Sequence, residues 1–246
     1  MGMISIVFDD TIENQYLYAF PLMEKYELKG VLGVVTGRVG KTYLHTDDWE
    51  VKSLTWDQIE EFSKRGWEIA SHSKMHRSIE GPHLNGNYSK LNEVELEEEI
   101  LGSKKDLENH GYSPVTFIWV GSPDQNPCTK RELNVVKKYY KAARFFITHN
   151  LSKDYFKKPN YNSLNSSPYD LKGTWLKSYE GLIEDFKISL KNLKDNWLIL
   201  SLHGVDKKVG NSVDISISEF EEILKVIKNS RVRVVTIEEG IKYLKY

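Results

Sequence analysis

Three short segments, far apart in the chain, carry side chains that could perform chemistry together. Val7–Asp10 ends on two adjacent carboxylates, Ser71–His76 contains two histidines, and Leu200–His203 ends on a third histidine. Each segment stands where an apolar run stops. In parallel α/β barrels and sheets, the loops at the carboxyl ends of the strands bring reactive groups to one mouth. Two carboxylates and three histidines at one mouth are the parts of a metal-assisted hydrolase.

The spacing of two of the histidines indicates a shared metal ion. His72 and His76 are four residues apart, which brings both imidazoles to one side of a helical turn. With Asp10 they offer two nitrogen ligands and one oxygen ligand, a set that suits a borderline cation, zinc above all, and keeps a position open for water. Of the two adjacent carboxylates, one can bind the metal while the other takes a proton. The simpler alternative is a solvated Asp9–Asp10 turn or helix cap beside two unconnected surface histidines.

The third histidine, His203, follows the unbroken apolar run Trp197–Leu202, which suits a buried parallel strand. Its imidazole is expected at the mouth beside the other two segments, although a lone histidine there would more simply be structural. Other polar residues carry weaker signals. His149 also ends a strand-like run, but no spacing supports a role for it. The Asp47–Asp48 pair is interpreted as an exposed turn, and the acidic run Glu95–Glu99 as a solvated helix face.

Short apolar runs alternate with amphipathic stretches along most of the chain, and these elements must position the three segments. The alternation predicts an α/β fold, with parallel strands inside and helices outside. Tyr155–Thr174 has no clean period and is expected as an irregular loop, with one short strand around Thr174–Leu176. The predicted strands are Met3–Phe8, Val31–Thr36, Trp67–Ser71, Val115–Val120, Ala142–Thr148, Trp197–Leu202 and Arg233–Thr236. The predicted helices are Gln15–Tyr26, Thr55–Arg65, Glu93–Asn109, Lys130–Tyr140, Tyr179–Leu193 and Ser218–Lys228.

Length and composition favour a single domain over residues 1–246, because α/β barrels reach this size as one unit and 40% of the residues are hydrophobic. With 34 basic and 35 acidic residues, the net charge of −1 argues against binding to nucleic acid or to an anionic membrane. The single cysteine, Cys128, excludes an internal disulfide. No signal peptide or membrane anchor is visible, which predicts a cytoplasmic protein, or a secreted one if a leader has been removed. The oligomeric state stays open.

Taken in order, the three segments resemble the motifs of the polysaccharide deacetylase family, also called the NodB-homology or carbohydrate esterase 4 group. Phe8–Asp10 is similar to its first motif, His72–His76 to its second motif, His-Ser/Thr-x-x-His, and Leu200–His203 to its last motif, Leu-x-Leu-x-His. The resemblance covers nearly the whole chain. It implies an α/β fold of the distorted (β/α)7 barrel type, with parallel strands and outer helices. It also implies hydrolysis of the N-acetyl group of an N-acetylglucosamine-containing glycan.

The resemblance further implies a role for each matching residue. Asp10, His72 and His76 would hold a divalent metal ion, most simply Zn²⁺, with Co²⁺ or Ni²⁺ as alternatives. Asp9 would be the general base that takes a proton from a metal-activated water. His203 would be the general acid that protonates the leaving amine.

Two family motifs are altered in this chain. Where many members have an Arg-x-Pro-x-Gly-like segment, Phe117–Asp124 contains no arginine, so the usual restraint on the base is missing or replaced. Within that segment, Trp119 could stack on a sugar ring as a substrate-binding residue, or it could form a wall of the core. The fourth motif, which adjusts the acid histidine, has no clear match. Its candidates are Asp154 and Asp170, with Trp175.

Two other functions are therefore kept beside the glycan deacetylase. One is a relative that removes acyl or formyl groups from a small amide. The other is a carbohydrate-binding relative that keeps the barrel but has weakened catalysis, which would explain the altered motifs. The presence of all five candidate residues argues against such decay, because a degenerating site has no physical reason to retain them together.

Overall fold

The computed structural model describes residues 2–45, 49–77, 91–121, 130–147, 155–210 and 213–246. Of the residues singled out above, Asp47–Asp48, Cys128, His149 and Asp154 lie outside this part of the chain. The strands within it are β1 Met3–Phe8, β2 Val31–Val34, β3 Thr42–His45, β4 Trp49–Lys52, β5 Glu68–Ser71, β6 Thr116–Ile118, β7 Ala142–Ile147, β8 Tyr161–Asn162, β9 Leu171–Trp175, β10 Trp197–Leu202, β11 Gly204–Asp206, β12 Val213–Ser216 and β13 Arg233–Val234.

Seven parallel strands close into a barrel. Their order is β1-β2-β5-β6-β7-β9-β10, and β10 pairs back with β1. Outside this ring, β13 lies parallel to β1, and β8 lies antiparallel to β10. The ring is uneven, because β5 and β6 pair at one position, Ser71 with Phe117, whereas β1 and β10 pair along their whole length. The expected distorted (β/α)7 barrel is confirmed.

The pairing of β1 with β10 determines which residues lie next to each other at the mouth of the barrel. Every residue of both strands is buried, as expected for parallel strands that are covered on both faces. Phe8 pairs with Leu202 in the register, so Asp9 and His203 are the next residues on each side. Asp9 N donates to Leu202 O at 2.9 Å. Gln15 Nε2 donates to the carbonyl oxygens of Asp9 and His203, at 2.5 and 2.6 Å. Strand pairing therefore places these two residues side by side.

Helices cover the outside of the barrel at nearly the predicted positions. Two predicted helices, Gln15–Tyr26 and Glu93–Asn109, each contain a π-helical turn, at Gln15–Ala19 and Glu98–Gly102. In the described part of the chain, none of the helices has both the length and the apolar character that crossing a bilayer requires. The α-helices are α1 Phe20–Lys25, α2 Trp56–Lys64, α3 Glu93–Glu97, α4 Ser103–Asn109, α5 Lys130–Tyr139, α6 Leu182–Asn192, α7 Ile217–Asn229 and α8 Ile237–Gly240.

Helix starts are specified by local side-chain bonds. In a capping box, the side chain before the helix accepts a bond from the third helical amide, and the third side chain accepts one from the cap residue's own amide. Both bonds are present at α2, α3 and α7, whose starts match the predicted ones to within one residue, and at α8, which was not predicted. The cap pairs are Thr55 with Gln58, Asn92 with Glu95, Ser216 with Glu219, and Thr236 with Glu239.

Several short strands escape prediction because their apolar runs are too brief or too polar. β3 and β4 form an antiparallel hairpin, and β11 and β12 form a small parallel sheet. β9 starts at Leu171, before the predicted Thr174, because Lys172 and Gly173 interrupt the apolar pattern there. Pairing of β9 with both β7 and β10 supplies the order that the local sequence does not.

Candidate active site

The three predicted metal ligands come together at the barrel mouth. Asp10 Oδ1 lies 3.2 Å from His72 Nε2 and 3.0 Å from His76 Nε2. The possible ligand atoms of the three residues all lie within 4.8 Å of one another, so one ion could contact all of them. Asp10 and His72 are buried, and His76 is partly buried. The fold therefore gathers the side chains that the motif spacing singled out.

A strained turn after β1 presents Asp10. Asp10 and Thr11 both have left-handed backbone angles, with φ of 73° and 62°. Aspartate tolerates this region, but a β-branched threonine does so only when its surroundings hold it there. Thr11 Oγ1 donates to Gly33 O and accepts from Val35 N at 2.7 Å, and Leu54 N donates to Thr11 O at 2.9 Å. These bonds tie the turn to β2 and to the start of α2, and they fix Asp10 at the mouth.

The two histidines lie on a loop, not on the helical turn that their spacing predicts. His72 directly follows β5, whereas Ser73 and His76 have left-handed φ angles of 64° and 53°. His76 N donates to Ser73 Oγ at 3.0 Å, and the two imidazole centroids are 5.0 Å apart. The helical prediction is wrong because bonds specific to this loop shape it. The prediction of a solvated face for Glu95–Glu99 is wrong at Glu99, which is 1% exposed and packs behind this loop.

The protonation states of the cluster suit a cation. His72 Nδ1 donates to Ile118 O at 3.0 Å, since a carbonyl can only accept, and this leaves the Nε2 lone pair near Asp10. Burial lowers the pKa of His76 to about 4, although Asp10 opposes the shift. Burial would raise the pKa of Asp10, but its contacts with His76 and His72 hold it well below the usual range. A neutral His76 imidazole and an ionised Asp10 carboxylate fit a borderline divalent cation.

The arginine missing from Phe117–Asp124 has a counterpart on the next barrel strand. Arg144, on β7, donates from Nη2 to Asp9 Oδ1, and the two side chains are 0% and 2% exposed. A charge-assisted bond in a dry interior restrains the orientation of both groups. Sequence reasoning missed this pair. The available signal was a single cation inside the apolar strand Ala142–Ile147, because a buried charge requires a partner.

His203 has a carboxylate partner that the sequence interpretation did not identify. Its Nδ1 donates to Asp214 Oδ2 at 2.8 Å, and its backbone N donates to the same oxygen at 2.6 Å. Burial would lower the pKa of His203, but Asp214 outweighs it and, with Asp10 and Asp9, raises the pKa to about 10. His203 Nε2 lies 3.9 Å from Asp10 Oδ2. The side chain of Asp170 is 63% exposed and pairs with a lysine, so it is not this partner.

The two tryptophans proposed near the site have different environments. Trp119 is 3% exposed, stacks on Phe145 with centroids 5.4 Å apart, and meets Phe117 edge to face. Its ring is therefore a wall of the core and not a stacking surface for a sugar, which corrects the substrate-binding prediction. Trp175 is partly exposed and lies edge to face with His203, at 6.1 Å between centroids. Trp175 is thus the aromatic ring beside the candidate acid.

A closed seven-stranded parallel barrel, with its cluster of possible metal ligands at the carboxyl ends of the strands, places the protein among the α/β barrels. Residues 1–122 match the family model described as polysaccharide deacetylase. The chain belongs to this polysaccharide deacetylase family.

Individual relatives agree with this assignment. A polysaccharide deacetylase homologue of Bacillus subtilis (strain 168), YxkH, is 25% identical over 115 residues, which are 47% of this chain and 35% of YxkH. The matched part thus spans about a third of that relative. Among solved structures, the Bc1960 peptidoglycan N-acetylglucosamine deacetylase has a TM-score of 0.61 at 11% identity, covering 98% of this chain and 88% of its own. A family 4 acetyl xylan esterase from Clostridium thermocellum, in complex with a cobalt ion, has a TM-score of 0.56 at 15% identity, covering 98% and 90%. At such identities the structures establish the shared fold.

Proposed function

We propose that the protein is a metal-dependent N-deacetylase that removes acetyl groups from an N-acetylglucosamine-containing glycan. The observation that carries this proposal is the convergence of Asp10, His72 and His76, with Asp9 and His203 next to them at one mouth. Family membership supports the deacetylase chemistry. The sugar is proposed by analogy with the Bc1960 structure, whose description names a peptidoglycan N-acetylglucosamine deacetylase.

Asp10, His72 and His76 would hold the metal ion, with zinc, cobalt or nickel as suitable choices for two nitrogens and one oxygen. When bound, such an ion supplies Lewis acidity, which lowers the pKa of water and offsets negative charge on a carbonyl oxygen. His72 is held at both its ring and its backbone, because its Nδ1 donates to Ile118 O and its backbone N donates to Val34 O at 2.8 Å.

Asp9 would act as the general base. As water adds to the acetyl carbonyl carbon, a carboxylate oxygen of Asp9 accepts its proton. Arg144 holds the other side of this carboxylate, which restrains its orientation in the dry interior and offsets its charge. The base is therefore aimed by an interaction that does not itself require substrate.

His203 would act as the general acid. Its Nδ1–H is committed to Asp214, so its Nε2–H is the proton available to the leaving nitrogen. Protonation there allows the C–N bond to break with an amine as the leaving group. The raised pKa of His203, about 10, keeps the imidazolium populated at neutral pH. The partners found for Asp9 and His203 also weaken the alternative of a carbohydrate-binding relative with decayed catalysis.

The direct test is acetate release from chitooligosaccharides. The protein is stripped with a chelator and reloaded with zinc, cobalt or nickel, and we expect activity only after reloading. Asp9→Asn should retain the metal but release acetate about 10²–10⁴-fold more slowly, because a positioned base usually contributes a factor of this size. Asp170→Asn is the matched control, because the Asp170 side chain is exposed and has no role in the proposed reaction. Metal binding without acetate release, or full activity in Asp9→Asn, would contradict the proposal. Activity on small acetamides alone would favour the small-amide alternative.

A further inference from the structure

The loop of residues 72–77 needs external support, because it holds two left-handed residues, Ser73 and His76, and no regular secondary structure. Such backbone conformations persist only where the surroundings over-determine them. His72 is held by the barrel strands on either side of β5. His76 is four residues further along, and its imidazole still lies 3.0 Å from Asp10. Whatever fixes the middle of the loop therefore decides whether His76 stays at the cluster.

One residue, Glu99, contacts this loop at three points, twice through its side chain and once through its backbone carbonyl. Met75 N donates to Glu99 Oε2 at 2.9 Å, Arg77 Nε lies 3.4 Å from Glu99 Oε1, and Lys74 N donates to Glu99 O at 3.0 Å. Glu99 is 1% exposed, so its carboxylate meets little water and relies on these partners. The contacts come directly before and after His76.

The helical segment behind the loop changes geometry where it carries Glu99. Glu98–Gly102 is a π-helical turn between α3 and α4. A π-turn departs from the regular α-helical bonding ladder and is frequent at functional sites. A Cβ on Gly102 would stand 3.1 Å from Lys74 Cδ, so the loop packs closely on this turn. On the other side, Gly37 N donates to Lys74 O at 2.7 Å. The loop therefore packs between the turn that contains Gly37 and the π-helical turn Glu98–Gly102.

We propose that Glu99 is a positioning residue for the candidate metal centre: its buried carboxylate binds Met75 N and the Arg77 side chain, on either side of His76, and so keeps His76 Nε2 beside Asp10. This inference rests on the proposed metal-dependent function, but it concerns a residue outside the ligand set. Glu99 acts on the ion only through His76, and His72 keeps its own independent supports.

The test compares Glu99→Met with Glu98→Gln and with His76→Ala. Methionine keeps roughly the volume of glutamate without a carboxylate acceptor, and the partner Arg77 side chain is 45% exposed, so the change leaves no buried cation unpaired. Glu98 is the matched control, since its side chain is 57% exposed and pairs with the Lys74 side chain and not with the loop backbone in the described residues. Cobalt affinity is measured by chelator competition on the metal-free protein, with the Co²⁺ absorption spectrum and the melting temperature of the metal-free form as further readouts.

We expect Glu99→Met to lower cobalt affinity roughly 10–100-fold and to change the Co²⁺ spectrum, as for other residues that orient metal ligands. Glu98→Gln should bind cobalt like the parent. In a His76→Ala background, Glu99→Met should add little further loss, because both changes remove the same ligand. Glu99→Gln keeps one oxygen acceptor, so its cobalt affinity should lie between those of the parent and Glu99→Met. It takes the place of Glu99→Met if the methionine variant does not fold.

Three outcomes would overturn the inference: parent-like affinity in Glu99→Met, parent-like affinity in Glu99→Gln where the methionine variant does not fold, or an equal further loss in the His76→Ala background. Each leaves the proposed function intact, because the parent still binds metal. If the parent itself binds no cobalt, the proposed metal-dependent function fails first.

Discussion

The two halves of the candidate site are built from different kinds of sequence signal. In the metal half, Asp10, His72 and His76 come from the ends of β1 and β5, and all three stand inside short motifs. In the proton-transfer half, Asp9 and His203 also follow strands directly, but the charges that control them come from Arg144 on β7 and Asp214 on β12. The sequence predicted that the three residues of the first half would lie together, whereas it predicted Asp9 and His203 without their charge partners.

The difference reflects what each group must achieve. A metal ligand has to reach one point in space, so its distance from a strand end is constrained and the constraint appears as a spacing. A charge partner needs only to bring the opposite sign within reach of a buried group, and any strand that lines the same interior can supply it. Its place in the sequence is therefore free to move while its physical effect is retained.

The largest effect is expected in the metal half. Asp10→Asn removes the only anionic ligand of the cluster and should lower metal affinity and reduce acetate release by about a thousandfold or more. Metal analysis after gel filtration, together with the acetate assay, measures both. The fold should persist, which circular dichroism can verify. If Asp10→Asn still holds one equivalent of metal at parent affinity, the ligand assignment is wrong.

The second-largest effect is expected from the ion pair between Asp9 and Arg144. Arg144→Met should reduce turnover by about a hundredfold, because a misplaced base loses its alignment with the attacking water. It should also destabilise the protein by about 3–5 kcal/mol, since Asp9 is left as an unpaired buried charge. Denaturant unfolding measures the second effect. The double variant Asp9→Asn, Arg144→Met should regain stability but not activity. The control is Arg233→Met, because Arg233 is exposed. Equal destabilisation by both Arg→Met changes would remove the special role of the pair.

A smaller and pH-dependent effect is expected at the acid. Asp214 raises the pKa of His203 to about 10 against the opposing effect of burial, and the acid works only while protonated. Asp214→Asn should lower that pKa, so the alkaline limb of the kcat profile moves to lower pH. We expect a loss of about tenfold at pH 6 and much more at pH 9, where the imidazole of the variant is neutral. A kcat profile parallel to that of the parent would show that Asp214 does not control the proton on His203.

The smallest effect on activity is expected at the opposite end of the barrel, at the buried carboxylate of Glu68. Glu68, at the start of β5, accepts from Thr116 Oγ1 at 2.5 Å and from Glu238 N at 2.8 Å. Burial raises its pKa to about 7, although these bonds oppose the shift.

The folded protein therefore binds this proton more tightly than the unfolded chain, whose glutamate titrates near 4.5. Stability linked to Glu68 should be fully present below about pH 4.5 and should fall, by up to a few kcal/mol, as pH rises to about 7. Glu68→Gln should abolish that slope and leave acetate release unchanged. Urea unfolding at pH 5 and pH 8 measures it. An unchanged slope in Glu68→Gln would mean that other groups carry the pH dependence.

Much of the barrel was predictable because its strands are apolar on both faces. β1 and β10 match their predicted bounds, since six consecutive buried residues leave a run that no helix period explains. β9 was predicted only around Thr174–Leu176, and β11 and β12 were not predicted, because runs of three to five residues with polar members carry little local signal. β9 is ordered by pairing with β7 and β10.

The sequence alone determined the barrel class and the five side chains at its mouth, because strand ends and motif spacings are local properties that apolar runs and chemistry constrain directly. Only the tertiary structure decided that Arg144 faces Asp9, that Asp214 holds His203, that Trp119 belongs to the core and that Glu99 lies behind the histidine loop. Each of those outcomes depends on a contact between residues distant in the chain. Such a contact has no periodicity and exists only once the barrel has closed.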